Sequence, residues 1–187
     1  MKDFQKVDLE RYDNTWYDPQ RNGFVLMLWF VVNALFFINP INPFSCVKVS
    51  ILRLFGAKMG RGVTIKPLVN IKYPWLLEVG DYSWIGERVW IDNLVKVEIG
   101  KNCCLSQGAF LLTGNHNYKK VTFDLMVGKV ILEDGVWIGA GSIVGPQVTC
   151  KTHSVLNALS VASTDLEAYK VYRGNPATLI KERVIEK

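Results

Sequence analysis

The sequence predicts a mainly β protein, a parallel β-helix wound from six-residue repeats, with an N-terminal helical segment before it and a short C-terminal helical tail after it. Two observations carry this class. Beyond Gly60 an aliphatic residue returns at every sixth position, with a small or β-branched residue four places later. Ahead of that point, residues 23–38 read GFVLMLWFVVNALFFI, an apolar run interrupted only by Asn33.

A chain of 187 residues suits one sizeable core. Hydrophobic content of 49% against 21% charged residues excludes a disordered chain. The net charge of +5 suits an anionic ligand such as a nucleotide phosphate, or an anionic membrane surface. The positive residues are scattered, not gathered in a run, which argues against a nucleic-acid partner. The chain divides into an N-terminal apolar helical segment, 1–59, and a β-helix domain, 60–187, with a loop at 114–127 and a C-terminal tail.

The apolar run is shorter than the ~20 residues that span a bilayer. One reading is a helix packed on the rest of the protein or on a partner subunit. The other, for residues 24–38, is a helix lying in a membrane interface as a peripheral contact, aided by Lys48, Arg53, Lys58 and Arg61. NPINPF at 39–44 ends this helix, because proline removes an amide donor and restricts the residue before it. Residues 45–55, SCVKVSILRLF, predict a second short helix closed by Gly56.

The repeat places its aliphatics at Val79, Ile85, Ile91 and Val97. After a slip of two the frame resumes at Ile99, Leu105 and Leu111, and after a longer break at Leu132, Ile138, Val144, Cys150 and Leu156. The companion small slots are Ser83, Val89, Val95, Cys103, Ala109, Val136, Ser142, Val148, Ser154 and Ser160. A period of six is neither the 3.6 of an α-helix nor simple alternation; it belongs to short strands and turns winding a triangular prism, with both slots pointing inward. Residues 114–127 do not fit the frame, so a loop leaves the prism there. That loop carries His116, one of two histidines. His153 falls at an outward position and reads as a solvated residue.

Cys46, Cys103, Cys104 and Cys150 form no CxxC pair and have no histidine at zinc spacing. With no cleavable leader in MKDFQKVDLERYD, they read as free thiols of a cytoplasmic protein. Two histidines are too few for a three-histidine zinc site, so no metal is expected. Cys103 sits in an inward slot, which argues against a covalent thioester route.

The hexads, VWIGAGSIV at 136–144 and RGNPA at 173–177 resemble the left-handed parallel β-helix acyltransferases of the hexapeptide-repeat superfamily. More narrowly, WIDNL (90–94), LSQGAFLLTGNHNY (105–118), TFDL (122–125) and LRLFGAKMGRGVTIKP (52–67) resemble the colanic acid biosynthesis acetyltransferases, a group close to the galactoside and maltose acetyltransferases. The resemblance implies a homotrimer with acetyl-CoA as co-substrate, held in the groove between adjacent prisms. It makes His116 the general base that takes a proton from the acceptor. Imidazole suits that task because, unperturbed, it is mostly neutral at physiological pH. The resemblance also gives Asn93 to the acceptor hydroxyl. Asn117, standing where many relatives have aspartate, goes with it as the second candidate at the acceptor side. Trp137, Gly139, Ala140 and Ala158 match positions along the pantetheine arm of the coenzyme; Arg173 and Lys181, with Arg183, are left as partners for its phosphates.

The chain departs from that pattern at 156–167, LNALSVASTDLE, where Asn157 and Leu159 replace glycines and Thr164 replaces a lysine. Thr178 stands where arginine is common. The activity expected is O-acetylation of a sugar in exopolysaccharide or surface-polysaccharide biosynthesis, on a saccharide acceptor that a lipid carrier would present at the inner membrane face. Two alternatives stand beside it: a non-catalytic trimeric β-helix scaffold, and an N-acetyltransferase acting on an amino sugar.

Overall fold

A computed structural model describes residues 5–186. Its body is the left-handed parallel β-helix that the repeat predicts. Strands of two or three residues stack coil upon coil into three faces. The first face carries Lys58–Met59, Leu77–Val79, Val97–Ile99, Val130–Leu132 and Thr149–Cys150. On the second face lie Thr64–Ile65, Trp84–Ile85, Cys104–Leu105, Trp137–Ile138 and Val155–Leu156, followed by Lys170–Gly174. The third face holds Asn70–Ile71, Trp90–Asp92, Phe110–Leu112, Ile143–Val144 and Val161–Ala162. Lys58–Met59 already pairs with Glu78 and Val79, so the winding starts just ahead of Gly60.

The hexad aliphatics form the axis of the prism. Ile85, Ile91, Leu105, Leu111, Ile138 and Leu156 are buried, as are the small-slot residues except Val95. Several small slots hold serine for a second reason beyond space. Ser83 Oγ donates to the Gly100 carbonyl at 2.7 Å and accepts from the Cys103 N–H at 3.0 Å; Ser142 Oγ likewise donates to the Asn157 carbonyl and accepts from the Ser160 N–H, and Ser160 Oγ accepts from the Gly174 N–H. Gly80 is dictated by close approach, since a Cβ there would lie 2.6 Å from the Gly100 carbonyl carbon in the next coil.

His153 is not simply solvated. It takes a left-handed corner position with φ 56, and its ring stacks on Tyr169 at 4.8 Å. Below it lies Gly135, where a Cβ would clash with that ring.

The two helices close the N-terminal end of the prism. The helix α1, Gly23–Phe36, begins where the Asn22 side chain accepts from the Val25 N–H. It docks through Trp29, whose indole N–H donates to the Ile71 carbonyl at 2.9 Å, and through Asn33, which donates to Asn70 Oδ1. The helix α2, Ser45–Leu54, lies over the first coil with Leu52 fully buried. Its Lys48 is also fully buried and donates to the Ile65 and Lys66 carbonyls, capping groups that no earlier coil can satisfy. Burial lowers the Lys48 pKa from the usual lysine range.

Two expectations change. Of the cations assigned to a membrane interface, Lys48 is buried inside the cap and so lost to any surface, whereas Arg53, on the Met59 and Gly60 carbonyls, and Lys58 and Arg61, in surface ion pairs with Glu78 and Asp81, remain exposed. The C-terminal tail is not helical. Lys170–Gly174 continues the second face and turns back through Asn175 and Pro176 into an antiparallel strand, Ala177–Glu182. The exposed edge of the last coil offers backbone groups that a strand satisfies and a helix cannot. No helix among the described residues is long and apolar enough to cross a membrane.

Candidate active site

The six-residue frame breaks at one edge of the prism, the corner between the third and first faces. The coil below carries a short 3-10 turn there, Pro74–Leu76. The next coil carries residues 93–96, which accounts for the slip of two. The coil above throws out an arm in which Gly114–His116 pairs antiparallel with Leu125–Val127, placing His116 opposite Leu125. The arm is closed at its base by a 2.8 Å bond from the Gly128 N–H to the Thr113 carbonyl. Gly114 crosses so near Leu94 that a Cβ would lie 2.7 Å from its side chain.

The turn of the arm orients His116. Phe123 adopts a left-handed φ of 51, a strained value for a residue with a bulky side chain. Its ring stacks on the imidazole at 4.4 Å and 9°, and its carbonyl lies 3.0 Å from His116 Nδ1. A carbonyl only accepts, so in neutral imidazole Nδ1 carries the proton and Nε2 keeps a free lone pair. Tyr12 approaches from the other side, with ring centroids 5.7 Å apart. The orienting group is therefore a main-chain carbonyl, not a carboxylate.

His116 opens onto a cleft of about 610 Å³ whose walls include Tyr12, Tyr17, Lys72, Tyr73, Asp92 and Leu94. Lys72 Nζ lies 3.0 Å from Asp92 Oδ1, yet off the line of a directed hydrogen bond, so that oxygen holds an ion pair alone. One wall is the N-terminal strap of residues 8–21, which sequence reasoning left out of the site. Asp8 N–H donates to the Val121 carbonyl of the arm, Tyr17 Oη donates to the Leu94 carbonyl at 2.6 Å, and Trp75 Nε1 donates to the Pro19 carbonyl. Burial, with the neighbouring Tyr73 and carboxylates, raises the Tyr17 phenol well above its usual range, so it stays a donor. The available signal was Tyr12, Trp16 and Tyr17 clustered in an otherwise polar stretch.

The two asparagines assigned to the acceptor differ in what they are free to do. Asn93 is 0% exposed, and its side chain accepts from the Tyr73 N–H at 3.0 Å and donates to the Tyr73 carbonyl at 2.6 Å. It replaces a missing rung between coils and cannot meet an acceptor hydroxyl. Asn117 helps close its own turn, with Oδ1 accepting from the Lys119 N–H and its main-chain N–H donating to the Asp124 carbonyl. Asp124 itself is held by Lys120 and Thr122, which lower its pKa.

The residues assigned to the coenzyme lie on the upper coils away from His116. Trp137 is 45% exposed and anchors its indole N–H on Ser106 Oγ at 2.9 Å. Gly139 and Ala140 follow it round the corner between the second and third faces. Ala158 sits one coil further on, its nitrogen 2.4 Å from where a Gly139 Cβ would be, so Gly139 is required by coil stacking. The Ala140 and Ala158 N–H groups have no acceptor among the described residues. Arg173 and Lys181 project from the terminal hairpin with unpaired side chains among the described residues. Arg183 is occupied, donating to the Gly135 and His153 carbonyls. One chain thus holds His116 on one edge of the prism and Trp137, Ala140 and Ala158 on another.

Neither buried thiol suits nucleophilic work. Burial pushes Cys103 up to about 11, and its Sγ lies 3.0 Å from the Glu133 carbonyl. Cys150 is raised by burial still further. Among the described residues no cluster of three or more His, Cys, Asp or Glu is arranged to hold a metal ion.

No family profile matches the chain. It is 36% identical over 163 residues to a putative colanic acid biosynthesis acetyltransferase, WcaF, from Escherichia coli K12, covering 87% of this chain and 90% of the relative. A galactoside O-acetyltransferase of the same organism is 24% identical over 71% of this chain and 67% of its own length. Among solved structures, a hexapeptide-repeat acetyltransferase from Vibrio cholerae complexed with acetyl-CoA superposes with a TM-score of 0.77 at 18% identity, covering 87% of this chain and 88% of that one. A maltose O-acetyltransferase from Clostridium difficile superposes with a TM-score of 0.73 at 22% identity, over 88% and 90% of the two chains.

Proposed function

The chain belongs to the colanic acid biosynthesis acetyltransferases of the hexapeptide-repeat family, and we propose that it moves acetyl from acetyl-CoA to a saccharide hydroxyl with His116 as general base. It is an acetyltransferase by kinship, which weighs against the scaffold reading. The observation that supports the residue assignment is the 3.0 Å contact from His116 Nδ1 to the Phe123 carbonyl, which in the neutral ring leaves the lone pair on Nε2, in a residue that lines the cleft.

In this mechanism Nε2 takes the hydroxyl proton as the acceptor oxygen forms a bond to the thioester carbonyl carbon. The tetrahedral intermediate collapses by breaking the C–S bond, and the coenzyme thiolate recovers the proton from the imidazolium. Base catalysis of this kind is worth about 10²–10⁴ in rate. Lys72, Asp92 and the strap tyrosines bind the acceptor's hydroxyls in place of the buried Asn93, and Asn117 beside His116 keeps its side-chain amide for the same task. Trp137 packs along the pantetheine arm, and the free N–H groups of Ala140 and Ala158 donate to its amides. Arg173 and Lys181 pair with the phosphates.

These two sets of residues lie on different edges of one prism, so a complete site requires the arm of one subunit to meet the coenzyme edge of the next. A cyclic homotrimer meets that requirement, and a cytoplasmic setting supplies acetyl-CoA. An amino-sugar acceptor is the second reading, favoured by the structural likeness to an N-acyltransferase from Bacillus cereus bound to a dTDP-linked amino sugar. The test is thiol release from acetyl-CoA with a panel of neutral and amino sugars. His116→Ala must lose at least about a hundredfold in rate; full activity in that variant overturns the base assignment.

A further inference from the structure

The polar cleft beside His116 does not end at the Lys72–Asp92 ion pair. On its far side a groove of about 470 Å³ runs between α1 and the third face, and the two spaces share Lys72, Tyr73 and Asp92. The groove has the volume of a small-molecule site. Its walls are mostly apolar, Leu26, Phe30, Ala34 and Ile38 from the helical segment and Trp90 from the third face, with the hydrogen-bonded Asn33–Asn70 pair as the polar exception. Trp29 and Ile71 line it as well, and the Trp29 indole N–H is already spent on the Ile71 carbonyl.

The order of these surfaces is that of an amphiphile. An apolar trough leads past one ion pair into a polar cleft that ends at the reacting imidazole. The mouth of the trough is apolar as well, since α1 exposes Phe24, Met27, Phe30 and Leu35 on its outer side, Phe30 at 70%. A hydrocarbon chain thus has a continuous apolar path from outside into the groove.

We propose that this groove binds the hydrocarbon chain of an amphiphilic, lipid-linked saccharide acceptor whose sugar head lies in the His116 cleft. The proposal rests on the acetyl-acceptor reading above and adds where the non-reacting part of the acceptor is held. Binding energy gained there positions the head without touching the reacting atoms.

The test is calorimetric binding of alkyl maltosides, from methyl to decyl, each below its micelle concentration. The expected result is affinity that rises by up to about fourfold per methylene and levels off once the trough is full. Ala34→Trp, which plugs the groove, and Leu26→Asp, which makes its wall polar, must each flatten that rise while acetyl-CoA binding and oligomer mass stay as in the parent. On the unaltered protein, decyl maltoside carrying a diazirine at its chain end must crosslink to α1 or Trp90, whether or not either variant folds. A flat series, a rise that survives both substitutions, or crosslinks elsewhere overturn the proposal. So does a change of oligomer mass in the variants with the gradient intact, which identifies the groove as a subunit contact. A rising series in a protein that does not bind acetyl-CoA sinks the acetyl-transfer reading and leaves the groove standing.

Discussion

Two edges of the same prism are built in opposite ways. At the corner between the second and third faces each coil repeats one solution, a residue in the left-handed region at Leu68, Arg88, Gly108, Gly141 and Leu159. Successive coils there are tied by main-chain bonds such as Leu159 N–H to the Ala140 carbonyl and Gly141 N–H to the Gln107 carbonyl. At the corner between the third and first faces no two coils are alike, and side chains replace the ladder. Asn93 bonds both main-chain groups of Tyr73, Thr113 Oγ1 bridges the Leu94 N–H and the Asp92 carbonyl, and Tyr17 reaches in from the strap to the Leu94 carbonyl. Where the backbone ladder lapses, a cleft opens, and His116 sits in it. Regularity supplies stiffness; its local loss supplies room for chemistry.

That contrast can be broken from either side. The largest effect expected is on activity alone: His116→Ala loses about 10²–10⁴ in kcat while its melting temperature stays with the parent. Loss of stability without that rate deficit makes His116 a packing residue. Next comes the regular interior, where Leu111→Ala, at a fully buried position, costs about 2–5 kcal/mol in denaturant unfolding.

Asn93→Ala distinguishes a coil rung from an acceptor ligand. It strands the N–H and carbonyl of Tyr73 and costs about 1–3 kcal/mol, with the acceptor KM of the folded protein little changed. A higher KM at unchanged stability restores the ligand role. Alkaline pH probes the buried thiol. Cys103 is held at about 11 against an ordinary 9.0, so above 9 the unfolded chain ionises first, and the stability from this group falls as pH rises from about 9 to about 11. Cys103→Ala must lessen that alkaline slope. The smallest effect is at the strap, where Tyr17→Phe removes its bond to the Leu94 carbonyl for about 0.5–1.5 kcal/mol. Faster exchange of the amides of residues 8–17 reports the loosening.

Much of this architecture was legible from residue spacing because the prism is quasi-one-dimensional. Each hexad meets the same neighbours one coil away, so a local pattern reports a global arrangement. The aliphatic slots from Val79 to Leu156 are buried as the frame requires, and the break in the frame marked the arm with His116. Val95 is the exception that explains itself. It falls within the slip, and the inward place there goes to Asn93.

By itself the sequence determined the coil, the helical cap, the position of the interruption and, with its family likeness, the acetyl-transfer chemistry. Only tertiary structure decided which groups surround the imidazole. The Phe123 carbonyl that orients it, the strap that returns from residues 8–21 to wall its cleft, and the occupation of Asn93 by Tyr73 all depend on contacts that no fixed spacing encodes. The tail reads as a strand for the same reason: the open edge of the last coil, not local propensity, selects a hairpin for Lys170–Glu182. Periodic segments repeat their environment and so announce it; a strap, an arm and an edge meet theirs once, at a distance in the chain.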